Sequence, residues 1–200
     1  TTDVAARLPS ITDGGNATAI TIDANENVGI GVTPESDWGS RNVLQFGLGA
    51  SISGRTGSVD LEVSRNAKYT GNNPTSTGKY INADQACMYR QNGEHSFHVA
   101  PSGSADAAIT WTTGFEVLND GKARAKNGLL FGTDTAAANA LDDYEEGTWT
   151  PTVNGGSWTL TIQKATYTKV GNLVTLLIYI EIGSGSGDGT RFEIGGMPFD

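Results

Sequence analysis

The feature that most constrains this chain is a period of two. Val174, Leu176, Ile178, Ile180 and Ile182 alternate with Thr175, Leu177, Tyr179 and Glu181. Successive side chains on a strand point to opposite faces, so this pattern predicts extended backbone. Both faces of the run are partly apolar, which predicts an inner strand of a β-sandwich. Phe46, Leu48, Ala50 and Ile52 alternate with Gln45, Gly47, Gly49 and Ser51 in the same way, and Leu61 and Val63 alternate with Asp60, Glu62 and Ser64. Helical character is confined to Thr135–Leu141, where Ala136, Ala137, Ala138 and Ala140 favour a turn or two of helix, too short to stand alone. The chain is therefore predicted to be all-β.

Turn chemistry divides it further. Asn92-Gly93, between Ala86–Gln91 and Glu94–Val99, is a strong hairpin signal. With a two-residue loop Arg90 opposes His95, Met88 opposes Phe97 and Cys87 opposes His98, so Met88, Phe97 and Val99 share a buried face. Asp120-Gly121 is a second such turn, after Phe115, Glu116 and Val117. Ile20–Asn25 and Phe115–Asp120 share an apolar-x-apolar run followed by a polar turn, which suggests a reused unit bracketing an insert from about Trp38 to Thr113. Loops without strand character are expected at Thr70–Gly78 and Gly183–Gly189. A composition shift near Gly128–Leu141 marks the main boundary, giving segments 1–37, 38–127, a linker 128–141 with a short helical turn, and 142–200.

Gly, Thr, Ser and Asn supply 79 of the 200 residues and only 18% are charged. A thick core is not expected from such a chain, but the frequent β-branched residues are the wrong signature for disorder. The net charge of −9 and the lack of a Lys/Arg cluster argue against nucleic-acid binding. A single cysteine, Cys87, excludes an intrachain disulfide and a Cys-based zinc site. The longest apolar stretch, Asn172 to Ile182, is too short to span a bilayer, so no membrane insertion is expected. With no initiator Met or signal peptide at the start, and an end that reads as a break inside a domain, the chain is expected to be a fragment of a longer one.

Several motifs resemble one family. Ile20–Pro34, with the sequence ITIDANENVGIGVTP, resembles the ID-x-x-GNVGIG-T-P element of bacteriophage tail fibres and tailspikes, with Glu26 where that family usually has Gly. Gly93–Gly103, continuing into Ala107–Trp111, resembles a module of the same proteins. Leu141–Pro151 (LDDYEEGTWTP), Ala165–Val174 and Gly195–Phe199 resemble the start and continuation of a fibre C-terminal β-domain. The resemblance implies short-stranded trimeric fibre modules, with 1–37 as shaft, 38–127 as a β-rich insert module and 142–200 as an antiparallel β-sandwich-like C-terminal domain. It also implies a homotrimer in the virion, in contact with other tail proteins and with bacterial surface polysaccharide. A thin chain gains from this, because apolar strand faces and open edges can be covered by its own copies. Ser36–Arg41 only superficially resembles the self-cleaving chaperone motif of such fibres.

The candidate chemistry is sparse, and no catalytic residue, metal ligand or cofactor is assigned. Cys87 opposite His98 would place a thiol beside an imidazole, with no orienting third group. His95 and His98 lie on opposite faces of a strand. Asp142, Asp143, Glu145 and Glu146 read as a solvated acidic turn, although paired carboxylates could cut sugars or hold a cation. Among the aromatics, Trp149 and Tyr167 are read as core, and Trp111 and Trp158 as aromatics that could stack on sugar or fill core. The expected glycan contacts are an exposed set of Tyr69, Asn72, Asn73 and Tyr80, with Asp188 in the second glycine-rich loop. The chain is read as a non-enzymatic attachment segment of a fibre. The alternatives are a depolymerase acting on capsule or lipopolysaccharide and a purely structural virion fibre or collar.

Overall fold

The computed structural model of the protein describes residues 10–12, 18–71 and 77–199. The fold is all-β and divides into two compact units, Thr1–Lys126 and Asn127–Asp200. The segments 1–37 and 38–127 belong to one unit, because their strands share one sheet.

In the first unit the strands are β1 (Ser10–Thr12), β2 (Thr18–Ile22), β3 (Val28–Ile30), β4 (Arg41–Phe46), β5 (Ala50–Arg55), β6 (Leu61–Arg65), β7 (Ala67–Tyr69), β8 (Gly78–Tyr80), β9 (Ala86–Gln91), β10 (His95–Ala100), β11 (Thr112–Val117) and β12 (Ala123–Ala125). Ten of them form one sheet in the order β1-β2-β3-β4-β5-β6-β9-β10-β11-β12, nearly the order of the chain itself. Every neighbouring pair is antiparallel except β3 and β4. β7 and β8 form a separate hairpin.

The two ends of the insert are the same device. The β2–β3 hairpin pairs Ile22 with Val28, and the β11–β12 hairpin pairs Val117 with Ala123, each across five residues and 95 positions apart. In the first, Asp23 N donates to Asn27 O at 3.0 Å and Glu26 N to Asp23 O at 3.1 Å; in the second, Leu118 N donates to Lys122 O and Gly121 N to Leu118 O, both at 2.9 Å. The left-handed residue is Glu26 (φ 64°) in the first turn and Gly121 (φ 83°) in the second. The suspected repeat is therefore a repeated turn geometry, and Glu26 occupies the position that favours glycine.

The Asn92-Gly93 hairpin forms with one residue more than expected. Its loop is Asn92–Glu94, closed by Asn92 N donating to Glu94 O at 3.1 Å, and Gln91 pairs with His95. The slip moves every partner by one: Met88 faces His98 and Cys87 faces Val99. A one-residue slip reverses the faces. Met88, Ser96, His98 and Ala100 are buried, while Phe97 is 48% and Val99 55% exposed.

The second unit begins with a single 3-10 turn, Ala137–Asn139, inside the stretch expected to be helical. Its strands are β13 (Tyr144–Thr148), β14 (Thr152–Asn154), β15 (Gly156–Val170), β16 (Leu173–Gly187) and β17 (Glu193–Gly195). They form a three-stranded sheet, β13-β15-β16, and a two-stranded sheet, β14-β17. The expected strand Val174–Ile182 is part of β16, but among the described residues it is an edge strand and not an inner one. Val174, Leu176, Ile178 and Ile180 are half-buried, while Leu177 and Tyr179 are exposed. The expected loop at Gly183–Gly189 is also corrected, because residues through Gly187 continue β16 opposite Gly156–Thr159. Glycine makes this possible: a Cβ at Gly185 (φ 147°) would lie 2.3 Å from Ser157 O and 2.8 Å from Trp158.

Candidate functional site

The ten-stranded sheet has two faces of opposite character, and the polar one is buried. Cross-strand partners run Ser53, Glu62, Arg90, Ser96, Glu116 and Arg124 from β5 to β12. The next row runs Gln45, Ser51, Ser64, Met88, His98 and Thr113. The apolar core over this face contains Trp38, Val43, Tyr69, Tyr80, Met88 and Ile109.

Buried polar groups persist only when partnered. Arg41 Nη1 meets Glu62 Oε2 at 2.5 Å, with both side chains fully buried. Arg90 approaches Glu62 Oε1 at 3.4 Å and Asp60 Oδ2 at 3.8 Å. Arg41 also stacks over the Tyr69 ring, 4.8 Å from its centroid. Ser51 and Ser64 share a 2.8 Å hydrogen bond, and His98 contacts Ser96 Oγ at 2.8 Å and Thr113 Oγ1 at 3.1 Å. Burial, with Arg90 second, holds the His98 imidazole below its ordinary range. Lys68 binds Asp106, Glu35 and Asp37 at 2.8, 2.9 and 3.0 Å. Burial opposes its charge, but the three carboxylates outweigh it and hold the ammonium well above the usual lysine range.

The sites expected from sequence fare unevenly. Tyr69 and Tyr80 are not an exposed sugar platform: they are 0% and 4% exposed. Tyr69 packs edge-on to Trp38, and Tyr80 Oη donates to Pro101 O at 2.6 Å. Removal from water, the largest influence on Tyr69, pushes its hydroxyl above the ordinary tyrosine range. Asn72 and Asn73 lie outside the described residues. Asp188 is exposed just beyond β16, and its Oδ1 accepts from Thr190 N at 2.9 Å and Thr190 Oγ1 at 2.5 Å.

The Cys87–His98 pair does not form, because the register slip leaves Cys87 on the exposed face and His98 on the buried one. His95 bonds the Tyr89 hydroxyl. In the acidic turn, Glu145 and Glu146 accept from Tyr167 and Tyr144, and Asp143 pairs with Lys169 at 2.6 Å. Among the described residues no group of His, Cys, Asp and Glu is arranged to hold a metal ion. Trp149 is buried and Tyr167 half-buried, in keeping with the core reading.

Sequence reasoning missed a polar cleft of about 430 Å³ beside the β2–β3 turn, lined by Asn25, Asn27, Ser36, Trp38, Ser40, Arg41 and Thr56 among others. Asn27 Oδ1, Trp38 Nε1, Arg41 Nε and Arg41 Nη2 are buried without a hydrogen-bond partner among the described residues. Asn27 is fixed by Asp23, whose carboxylate accepts from its backbone and side-chain nitrogens at 2.9 Å each. These four atoms have almost no exposed surface, so the groups that a ligand in the cleft can reach are the exposed side chains of Asn25, Ser36, Ser40 and Thr56, whose amide and hydroxyls suit a hydroxyl-bearing ligand. The signal in the sequence was the Ser36–Arg41 stretch, whose Trp and Arg are unusual in a chain this rich in small residues.

Against this architecture no family model matches the chain, and no curated protein or solved structure matches it either.

Proposed function

We propose that this chain is a segment of a homotrimeric bacteriophage fibre, of the tail-fibre or tailspike kind, that extends the fibre and attaches it to glycan on a bacterial surface. The observation that carries this reading is the sheet itself, which adds strands almost in chain order and has one long apolar face whose central row has no buried member among the described residues. Such a face suits a thin chain built to be completed by its own copies. One motif of the resemblance supports it, since the Ile20–Pro34 element forms a hairpin turn that the Asp120-Gly121 turn repeats at the other end of the insert. The glycan contact moves from the tyrosines to the cleft beside Trp38, where the exposed side chains of Asn25, Ser36, Ser40 and Thr56 offer hydroxyl and amide groups.

The test is adsorption of fluorescently labelled chain to a panel of bacterial strains, with sedimentation of the same sample. Trimer mass and saturable adsorption, competed by the strain's own purified surface polysaccharide and reduced by Ser40→Trp in the cleft, are expected. A trimer that adsorbs to no strain removes the attachment role. The burial of Tyr69 and Tyr80 favours a second reading in that case, a spacer that never touches the host.

A further inference from the structure

Of the residues that the sequence alternation picks out, Phe46, Ala50, Ile52, Leu61 and Val63 lie on the open face of the ten-stranded sheet. One cross-strand row runs Ile22, Val28, Leu44, Ile52, Val63, Tyr89, Phe97, Phe115 and Ala125, nine partners from β2 to β12 without a break. No member of this row is buried; Ile52, Val63 and Phe97 are 39, 42 and 48% exposed. Tyr89 stacks on Phe97 at 4.8 Å and Phe97 meets Phe115 at 6.2 Å, forming an aromatic strip. A second row, Ile20, Ile30, Phe46, Ala50, Arg65, Cys87 and Val99, runs beside it.

We infer that this face is where a second copy of the same chain packs. The inference rests on the assembly half of the fibre reading and gives it a surface. Two arguments select the occupant. The first is area. Eight strand spacings of about 4.8 Å make the face roughly 38 Å long, and with a third, more polar row through Asn42, Gly54, Leu61, Gln91, His95, Val117 and Ala123 it is roughly 20 Å wide, or about 760 Å². The two apolar rows, about 500 Å² of it, lie toward the top of the range for an ordinary monomer's largest patch, and the whole face comes close to the roughly 800 Å² per partner of a stable interface.

The second argument is charge. The chain carries 22 carboxylates and a net charge of −9, so most approaches of one copy to another set like charges together. The strand residues of the open face carry no carboxylate. Glu62 and Glu116 lie on the buried face, and the open face's one arginine, Arg65, is paired with Asp84. An acidic chain can meet itself without repulsion here, and ring and branched side chains from one sheet can interdigitate with those of another.

The test uses the full 200-residue chain and the double variant Val63→Asp/Phe97→Asp, which places carboxylates in the middle of the row. Val59→Asp is the control, since Val59 is 98% exposed but lies in the β5–β6 turn outside the row. Sedimentation at micromolar concentration is expected to give assembled mass for wild type and Val59→Asp, and single-chain mass for the double variant with its strand circular dichroism retained. Cys87, the one thiol and a member of the second row, gives a readout that needs no variant. Its labelling by a maleimide should be slower in assembled wild type than in urea-unfolded chain, on the order of tenfold. A double variant that keeps assembled mass, or assembled wild type whose Cys87 labels as fast as unfolded chain, overturns the inference and leaves the trimer to another surface. Folded wild type of single-chain mass overturns both the inference and the trimer, and flotation of that monomer with phosphatidylcholine vesicles would assign the face to lipid.

Discussion

The two faces of one sheet obey different rules in this protein. The buried face is made of Arg41, Gln45, Ser51, Ser53, Glu62, Ser64 and His98, and it is held by ion pairs, hydroxyl bonds and a thin cover of aromatic rings. The open face is mostly Ile, Leu, Val and Phe, with Tyr89 among them, and among the described residues none of its central row is buried. In an isolated domain the allocation would be reversed, because burying apolar area is the main favourable term and burying charge is costly. The comparison teaches that the single chain covers the face that specific pairing can satisfy. The face that only non-directional packing can satisfy is the one left exposed among the described residues.

The largest test of this contrast uses adjacent residues. Glu62→Ala leaves Arg41 buried without its carboxylate and is expected to cost about 3–5 kcal/mol in urea unfolding, at any protein concentration. Val63→Thr, one position along and on the other face, acts on association, so its cost should grow with protein concentration. Equal, concentration-independent losses would break the distinction. Replacing the Arg41–Glu62 pair by Met and Leu sharpens it, with a result near neutral or stabilising.

The tyrosines come next. Tyr80→Ala is expected to cost about 3 kcal/mol, because it empties a core position and strips Pro101 O of its donor. Loss of bacterial adsorption with unchanged melting would instead restore the sugar-platform reading.

A smaller effect is a pH dependence. His98 is held below its ordinary value of 6.5 by burial first and Arg90 second, with Glu116 opposing them. The unfolded chain therefore binds this proton more readily than the folded one, so the stability linked to His98 is complete above pH 6.5 and is lost as pH falls through and below that value. Its slope is bounded at about 1.4 kcal/mol per pH unit for one proton. Thermal melts from pH 7.5 to 5 should fall for wild type and flatten in His98→Gln. An identical slope in both would place the proton elsewhere.

The smallest effect tests the two matching turns. Glu26→Gly should stabilise by about 0.5 kcal/mol by relieving a left-handed residue, whereas Gly121→Glu should destabilise by at least as much. Opposite signs in chemical denaturation would show that the two turns are one device; a destabilised Glu26→Gly would show that the Glu26 side chain does something its backbone strain does not reveal.

The sequence by itself determined a good deal. Period-two alternation gave the strands, Asp120-Gly121 gave the β11–β12 hairpin, and the 95-residue echo gave two turns with the same hydrogen bonds. These are local properties, set by side-chain direction and by which residues tolerate a turn, and they need no distant partner. The tertiary structure decided the rest. One residue of loop length at Asn92–Glu94 chose which face of β9 and β10 is covered, and so separated Cys87 from His98. The β7–β8 hairpin and Trp38 decided that Tyr69 and Tyr80 are core, although their flanking loop reads as surface. Alternation states that a strand has two faces, but the same pattern of Leu61, Glu62 and Val63 fits burial of either one. Which face is buried depends on what arrives to cover it, and that is a property of elements far apart in the chain, or of another chain altogether.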